Sequence, residues 1–261
     1  LEGSYALGIM SLDDPDKIIA IKKDNPLIVG VADSGNFIAL DVPAILAHTN
    51  RVYYLNDREI AVLTRNSVEF FNTDREPVAK SPETITWSLD SAEKGGYEHF
   101  MLKEIMEQPR VLQDTIQSVL NNGDNKRIID SLDITRFNKI VITACGSAYN
   151  AGMVAKYVME RLCRLSVEVD LASEFRYKDA IVDQNSLVIL VSQSGETADT
   201  IAAMREAKRK GAVTLSIVNV IGSTIAKESD YTLYTLAGPE IAVATTKAYS
   251  AQLILLYLLA V

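Results

Sequence analysis

One stretch constrains the fold more than any other: an apolar run that passes directly into a hydroxyl-rich turn and then into a helix. Residues 187–191 read Leu-Val-Ile-Leu-Val, which is typical of a strand buried on both faces of a parallel sheet. Residues 192–197 read Ser-Gln-Ser-Gly-Glu-Thr, and apolar residues recur at helical spacing from 201 to 207. The stretch therefore predicts a strand, a turn and a helix, which is a building unit of α/β folds.

The turn at 192–197 has the composition of a phosphate-binding loop. Between a strand and a helix, free backbone N–H groups and the positive end of the helix dipole point to one place, where serine, glutamine and threonine side chains add neutral donors. The turn lacks the lysine of a Walker loop and the three glycines of a dinucleotide fingerprint, so neither ATP nor NAD is indicated and no cofactor is expected. A phosphate monoester suits these donors, and the alternative is a helix N-cap that binds nothing.

Composition and charge favour a small ligand. The chain has 261 residues, of which 23% are charged and 48% hydrophobic, as in ordinary globular proteins. Its net charge of −8 argues against nucleic acid or an anionic membrane as the main partner. The two cysteines and two histidines are too scattered for a metal site or a disulfide framework, which fits a reducing cytoplasm.

The two ends of the chain suggest a piece of a longer protein. The chain starts without Met and stops inside an apolar helix, so we expect it to be cut at both ends. The longest apolar run, residues 253–261, is too short to cross a bilayer.

The first part of the chain is β-rich and predicts a meandering sheet. Turn-forming residues separate the predicted strands, which are 5–10, 18–21, 37–40, 52–55, 60–63 and 68–71. Residues 43–46 predict a single helical turn with Pro43 at its start. Asp41 stands just before it, where its carboxylate could cap the turn or face an amine ligand, and the residues alone favour the cap.

The middle of the chain predicts a connection followed by two helices. Residues 73–96 are rich in Pro, Ser, Asp and Glu, as expected of an interdomain linker. Apolar residues repeat at helical spacing from 97 to 108, where Pro109 breaks the pattern, and a second helix is predicted over 111–120. We expect this region, 97–136, to hold junction helices.

Strand and helix patterns alternate from Lys139 onward, which predicts an α/β domain with a parallel sheet. Hydroxyls recur at its turns: at Ser147 after the first strand, at the 192–197 turn, and at Thr245 in the loop 238–247. Ligands of open α/β sheets bind outside the carboxyl ends of the strands. Cys145 adjoins the first turn, but no histidine follows nearby to activate it, so a structural thiol is favoured over a nucleophile.

Several segments together resemble a known family. The 192–197 turn resembles the phosphate-binding turn of sugar isomerase (SIS) domains, which occur in sugar-phosphate isomerases and their regulators. Further segments are similar to the glutamine:fructose-6-phosphate amidotransferases, and these are 97–109, 144–147, 149–153, 172–177 and 240–247. The resemblance runs the whole length of the chain.

The resemblance implies an enzyme that releases ammonia from glutamine and transfers it to fructose 6-phosphate, giving glucosamine 6-phosphate, in a homodimer. Residues 1–72 would be the second half of an Ntn-type glutaminase domain. Residues 137–261 would be the first SIS domain, with a three-layer α/β/α architecture and a parallel sheet.

The family's binding residues carry over position by position. The phosphate contacts match Ser192, Gln193, Ser194 and Thr197, and the contacts to the sugar and the phosphate edge match Ser147, Ala148, Val243 and Thr245. The family usually has Thr-Ser at 147–148 and Ser at 245, so Ala148 offers only its backbone N–H. Asp41 matches the acid that holds the amino group of glutamine, and with the resemblance this interpretation is preferred to the cap.

The catalytic residues are expected outside this chain. The resemblance implies an N-terminal Cys nucleophile in the glutaminase domain and a His and a Schiff-base Lys in a second repeat, and Lys247 is interpreted as structural. We expect the fragment alone to bind sugar phosphate weakly and to catalyse nothing. The alternative is a non-catalytic SIS module that senses a phosphosugar, but such a sensor would more readily carry a basic helix-turn-helix than a β-rich first half.

Overall fold

The computed structural model describes residues 1–85, 94–121 and 123–261, and the chain divides into two compact units, 1–93 and 94–261. Residues 86–93 of the predicted linker, and Asn122 at the predicted helix end, lie outside the described residues. No helix of the described part is long and apolar enough to cross a membrane.

Residues 1–85 of the first unit contain eight strands: β1 Tyr5–Ser11, β2 Asp14–Lys23, β3 Ile28–Ala32, β4 Gly35–Ala39, β5 Arg51–Tyr54, β6 Ile60–Leu63, β7 Val68–Phe71 and β8 Glu83–Thr84. They form two antiparallel sheets, with strand orders β1-β2-β6-β7 and β4-β3-β5-β8. Each sheet has its own buried apolar cluster. The unit's role as part of a glutaminase domain stays a prediction.

The sequence predicts a single meandering sheet, and this prediction is wrong because the strands form two sheets. The segment that forms β3 is not among the predicted strands. Ile28 and Val29 of β3 are 2% and 0% exposed, and the strand pairs with β4 and β5. Strand β2 pairs with β6 and not with its successor in the chain. The backbone therefore leaves the first sheet after β2 and returns to it at β6.

The second unit is a parallel sheet covered by helices. Its strands are β9 Lys139–Ala144, β10 Ser166–Leu171, β11 Ser186–Ser192, β12 Val213–Val218 and β13 Tyr231–Tyr234. Its helices are α1 Phe100–Leu120, α2 Asp124–Ser131, α3 Gly146–Cys163, α4 Ala172–Phe175, α5 Ala198–Arg209, α6 Thr224–Glu228 and α7 Lys247–Leu259, with a 3-10 turn at Ile134–Arg136. The strand order is β10-β9-β11-β12-β13, and every pairing is parallel.

Alternate side chains of the central strands enter two different cores. Ile140 of β9 and Ile189 of β11 pack with α3 and α7 on one face, whereas Val141 and Leu190 pack with α4, α5 and α6 on the other. All seven residues of β11 are buried, as its unbroken apolar run predicts. The three-layer α/β/α fold is thereby confirmed.

Helix α1 is continuous, so the prediction of two helices separated at Pro109 is wrong. Proline lacks the N–H that would bond to the carbonyl of Ile105, four residues earlier. The side-chain amide of Gln108 donates to that same carbonyl at 3.2 Å. This substitute bond helps the helix to pass through Pro109.

Candidate functional site

The winding of the sheet reverses between β9 and β11. From β9 the chain moves to β10 on one side, and it then returns to β11 on the other side of β9. Helix α3, which follows β9, and helix α5, which follows β11, cover opposite faces of the sheet. Their N-termini therefore flank one crevice at the carboxyl ends of adjacent strands, which is where open α/β sheets bind ligands.

A cavity of about 190 Å³ lies in this crevice. Six of the residues predicted to contact the substrate line it: Ser147, Ala148, Ser192, Gln193, Ser194 and Thr197. Ser147 and Ala148 belong to the first turn of α3, which begins at Gly146 and hence three residues before the predicted start. The remaining lining residues are Cys145, Val191 and Gln252.

The 192–197 turn is closed by its own hydroxyls. The Ser192 hydroxyl accepts a hydrogen bond from the Gly195 N–H at 3.0 Å and lies 3.0 Å from the Thr197 hydroxyl. The Ser194 hydroxyl accepts from the Glu196 N–H at 3.2 Å. The Ser194 hydroxyl and one of the paired Ser192 and Thr197 hydroxyls still have a hydrogen to donate, so the turn can present these donors to an anion.

Glu196 anchors the turn and does not line the cavity. Its carboxylate oxygens accept from the N–H and the hydroxyl of Thr224, at 2.5 and 2.9 Å, at the start of α6. The Gly195 carbonyl also accepts from the Ile225 N–H at 3.0 Å. The one negative charge of the turn is therefore used to attach it to α6.

The electrostatics of the cavity favour an anion. None of the described residues that line it is charged. Cys145 and Thr197, the N-cap residues of α3 and α5, make no side-chain cap hydrogen bond, so helix N–H groups stay available on this side. Asp199, in the first turn of α5, forms an ion pair with Arg176 at 2.8 Å.

Val243 and Thr245 are not among the residues that line the cavity. The side chain of Val243 is fully exposed, and the Thr245 hydroxyl donates to Glu240 at 2.9 Å. One carboxylate oxygen of the buried Glu104 accepts from the Ile241 and Ala242 N–H groups, at 2.7 and 3.1 Å. These two glutamates hold the loop in its position, and the predicted binding role of Val243 and Thr245 stays a prediction.

The contacts of Lys247 are those of a structural residue. It is 1% exposed, and its ammonium group contacts a carboxylate oxygen of Glu107 in α1 at 2.6 Å. The pair joins the start of α7 to α1, and Lys247 does not line the cavity.

Asp41 lies in the first unit, where its carboxylate accepts from the Ala44 N–H at 3.2 Å. The carboxylate thus caps the turn that follows β4, as the residues alone predict. The side chain is exposed, which leaves its other oxygen accessible to an amine. Its role as a glutamine ligand stays a prediction.

Gln252 lines the cavity and is not among the site residues predicted from the sequence. This glutamine lies in α7, about sixty residues from the 192–197 turn, and only the fold brings it to the cavity. The signal that could have identified it is a lone amide within residues 251–259, whose other residues are apolar or Tyr.

Comparisons with known proteins show what the chain is similar to. Residues 133–261 match the SIS domain family. The glutamine–fructose-6-phosphate aminotransferase (isomerizing) of Clostridium acetobutylicum is 55% identical over 99% of this chain and 43% of its own length. The protein of the same name from Caldanaerobacter subterraneus is 54% identical over the whole chain, again 43% of its own length.

A solved structure matches about two thirds of the chain. The C-terminal domain of glucosamine-fructose-6-phosphate aminotransferase from Francisella tularensis superposes with a TM-score of 0.60 at 43% identity, covering 64% of this chain and 48% of that one. The chain thus spans less than half the length of the curated relatives it matches.

Proposed function

We propose that the chain is part of a glutamine–fructose-6-phosphate aminotransferase and that it supplies the phosphosugar-binding domain of an enzyme that transfers the amide nitrogen of glutamine to fructose 6-phosphate. The product would be glucosamine 6-phosphate. In this proposal the cavity between α3 and α5 holds the sugar phosphate, and the catalytic groups lie outside the 261 residues.

The observation that carries the proposal is the convergence of six predicted contact residues on one uncharged cavity. A phosphate needs donors on several sides, and here they come from two helix N-termini and from the hydroxyls of Ser192, Ser194 and Thr197. Such an array of neutral donors suits a phosphate that must be exchanged in every catalytic cycle.

The first unit favours the enzyme over a non-catalytic phosphosugar sensor. The identity with the aminotransferases of Clostridium acetobutylicum and Caldanaerobacter subterraneus extends over 99–100% of the chain and therefore includes residues 1–93. A sensor would share only the SIS domain with them. The homodimer, the cytoplasmic location and the absence of a nucleic-acid partner stay predictions.

The proposal is tested by titrating fructose 6-phosphate into the chain and into the double variant Ser192→Ala/Ser194→Ala. Removing two donors to a charged group should weaken binding by about 1 to 3 kcal/mol for each lost bond. Isothermal titration calorimetry measures the affinity, and thermal unfolding reports whether the variant is folded.

Ser186→Ala provides a matched control. Ser186 and Ser192 begin and end β11 and are both 3% exposed, but Ser186 bonds to Asp183 at the end of the strand away from the cavity. We expect it to change stability and to leave the affinity unaltered. Equal affinities in the wild-type chain and the folded double variant would contradict the proposal.

A further inference from the structure

The side chain of Gln252 is a buried amide in the wall of the cavity. It is 1% exposed, and its Oε1 atom has no hydrogen-bond partner among the described residues. Its neighbours on the same face of α7 are Ala251, Leu255 and Leu256, all buried. An apolar side chain of the same length would fill this position without leaving a polar atom unpaired.

The position of Gln252 sets it apart from the donors of the 192–197 turn. Helix α7 packs on the same face of the sheet as α3, where Ala148 belongs to the same core as Leu255 and Leu256. Gln252 therefore lines the cavity on the face of the sheet that holds α3, whereas the hydroxyls of the turn come from the end of β11.

The unpaired atom is an acceptor, so its partner must be a donor. A phosphate dianion has acceptor oxygens only, and it suits the N–H and hydroxyl groups of the turn and the helix ends. A sugar hydroxyl can donate a hydrogen bond. The cavity is thus lined by donors from the turn and the two helix N-termini and, at Gln252, by a residue with an unsatisfied acceptor, which is the pattern expected for a ligand that carries both a phosphate and a hydroxyl group.

We propose that the Gln252 amide oxygen accepts a hydrogen bond from a hydroxyl of the bound sugar phosphate, and that this contact distinguishes a phosphosugar from free phosphate. The inference rests on the proposed function of the same cavity. It assigns to Gln252 a specificity role, because a site whose buried acceptor needs a hydroxyl disfavours ligands that lack one.

The test compares fructose 6-phosphate with inorganic phosphate on the full 261-residue chain and on its Gln252→Met variant. Methionine keeps the length of the side chain and removes the acceptor. We expect fructose 6-phosphate to bind about tenfold more weakly and inorganic phosphate to bind within about twofold of the wild-type affinity. NMR titration reaches the weak phosphate affinity, and the retained phosphate binding shows that the variant is folded.

Gln113→Met, on the exposed face of α1, makes the same chemical change away from the cavity and should alter neither affinity. Unchanged binding of fructose 6-phosphate by the Gln252→Met variant would overturn the inference and leave the proposed function standing. Equal weakening of both ligands would also overturn it, since the amide would then face the phosphate. A wild-type chain that binds no fructose 6-phosphate would remove the proposed function, and the inference with it.

Discussion

At the scale of single residues, Gly195 decides the shape of the 192–197 turn. Its φ of +65° lies in the left-handed region, where a Cβ costs about 1–2 kcal/mol. A Cβ at this position would lie 2.0 Å from the Ser223 hydroxyl oxygen and 2.6 Å from the Ser223 Cβ. Conformation and space thus both require glycine here.

We expect Gly195→Ala to lower the free energy of unfolding by at least about 2 kcal/mol and to abolish measurable binding of fructose 6-phosphate, because the turn must shift away from Ser223. Gly211→Ala is the matched control. Gly211 also has a positive φ, +86°, but a Cβ there meets nothing closer than 4.0 Å, so only the backbone cost remains.

Urea unfolding and calorimetric titration of both variants measure the difference. An equal loss of stability in the two variants would mean that the contact with Ser223 adds nothing to the backbone cost. Retained affinity in the Gly195→Ala variant would show that the turn does not need this geometry to bind.

The sequence could predict the donors of the turn because they are neighbours along the chain. Ser192, Gln193, Ser194 and Thr197 follow an apolar strand and precede a helix, so local rules place them at a strand end. Gln252 reaches the same cavity only through the packing of α7, which a local pattern does not specify. Glu196 belongs to the turn in sequence, yet its carboxylate is bound at α6, a tertiary contact that composition does not reveal.

At the scale of secondary-structure elements, the errors of prediction have two physical causes. Pro109 is a reliable signal that a helical hydrogen bond is lost, but Gln108 supplies a replacement to the Ile105 carbonyl, and the helix continues. Strand β3 has the apolar residues of a strand, and its assignment to a second sheet depends on pairing with β4 and β5. Local patterns report periodicity and do not report strand partners.

Asp230 joins three elements and makes stability depend on pH. One carboxylate oxygen accepts from the N–H and hydroxyl of Thr214 at 2.9 and 2.8 Å, and the other accepts from Lys208 at 2.9 Å. Burial alone would raise the pKa of this carboxyl, but the hydrogen bonds from Thr214 and Lys208 outweigh it, and the pKa is lowered. The stabilisation is therefore complete above the pKa of the unfolded chain and is lost as the pH falls through the folded-state pKa.

We expect Asp230→Asn to lower the free energy of unfolding by about 1 kcal/mol at neutral pH, a modest value because the Asp230 side chain is 39% exposed. The difference from the wild type should shrink as the pH falls below about 4, and it should vanish where the wild-type carboxyl is protonated in both states. Urea unfolding at a series of pH values measures it.

The Asp114→Asn variant is the control for the loss of one negative charge, because Asp114 lies at an exposed position of α1. A difference between Asp230→Asn and the wild type that stays constant down to the lowest pH would contradict the assignment to the ionised carboxylate.

At the scale of the whole molecule, the features assigned to the ligand site all lie within the second unit. The five-stranded sheet, both of its core clusters and each residue that lines the cavity fall between residues 94 and 261. The first unit has two cores of its own. The change from a strand-rich pattern to strand–helix alternation predicts two domains, because each pattern builds its own kind of layer, and the domain bounds given from the sequence stay a prediction.

A shortened protein comprising residues 94–261 should therefore fold and bind fructose 6-phosphate with an affinity within about threefold of the full chain, because this unit has its own core and contains all the residues that line the cavity. Circular dichroism and one-dimensional NMR report folding, and calorimetric titration reports the affinity.

The Ser192→Ala/Ser194→Ala change, made in the shortened protein, should weaken binding as much as in the full chain, since the two serines act within the cavity. A folded shortened protein without affinity for fructose 6-phosphate would show that residues 1–93 contribute to the site, and the division of labour between the two units would have to be revised.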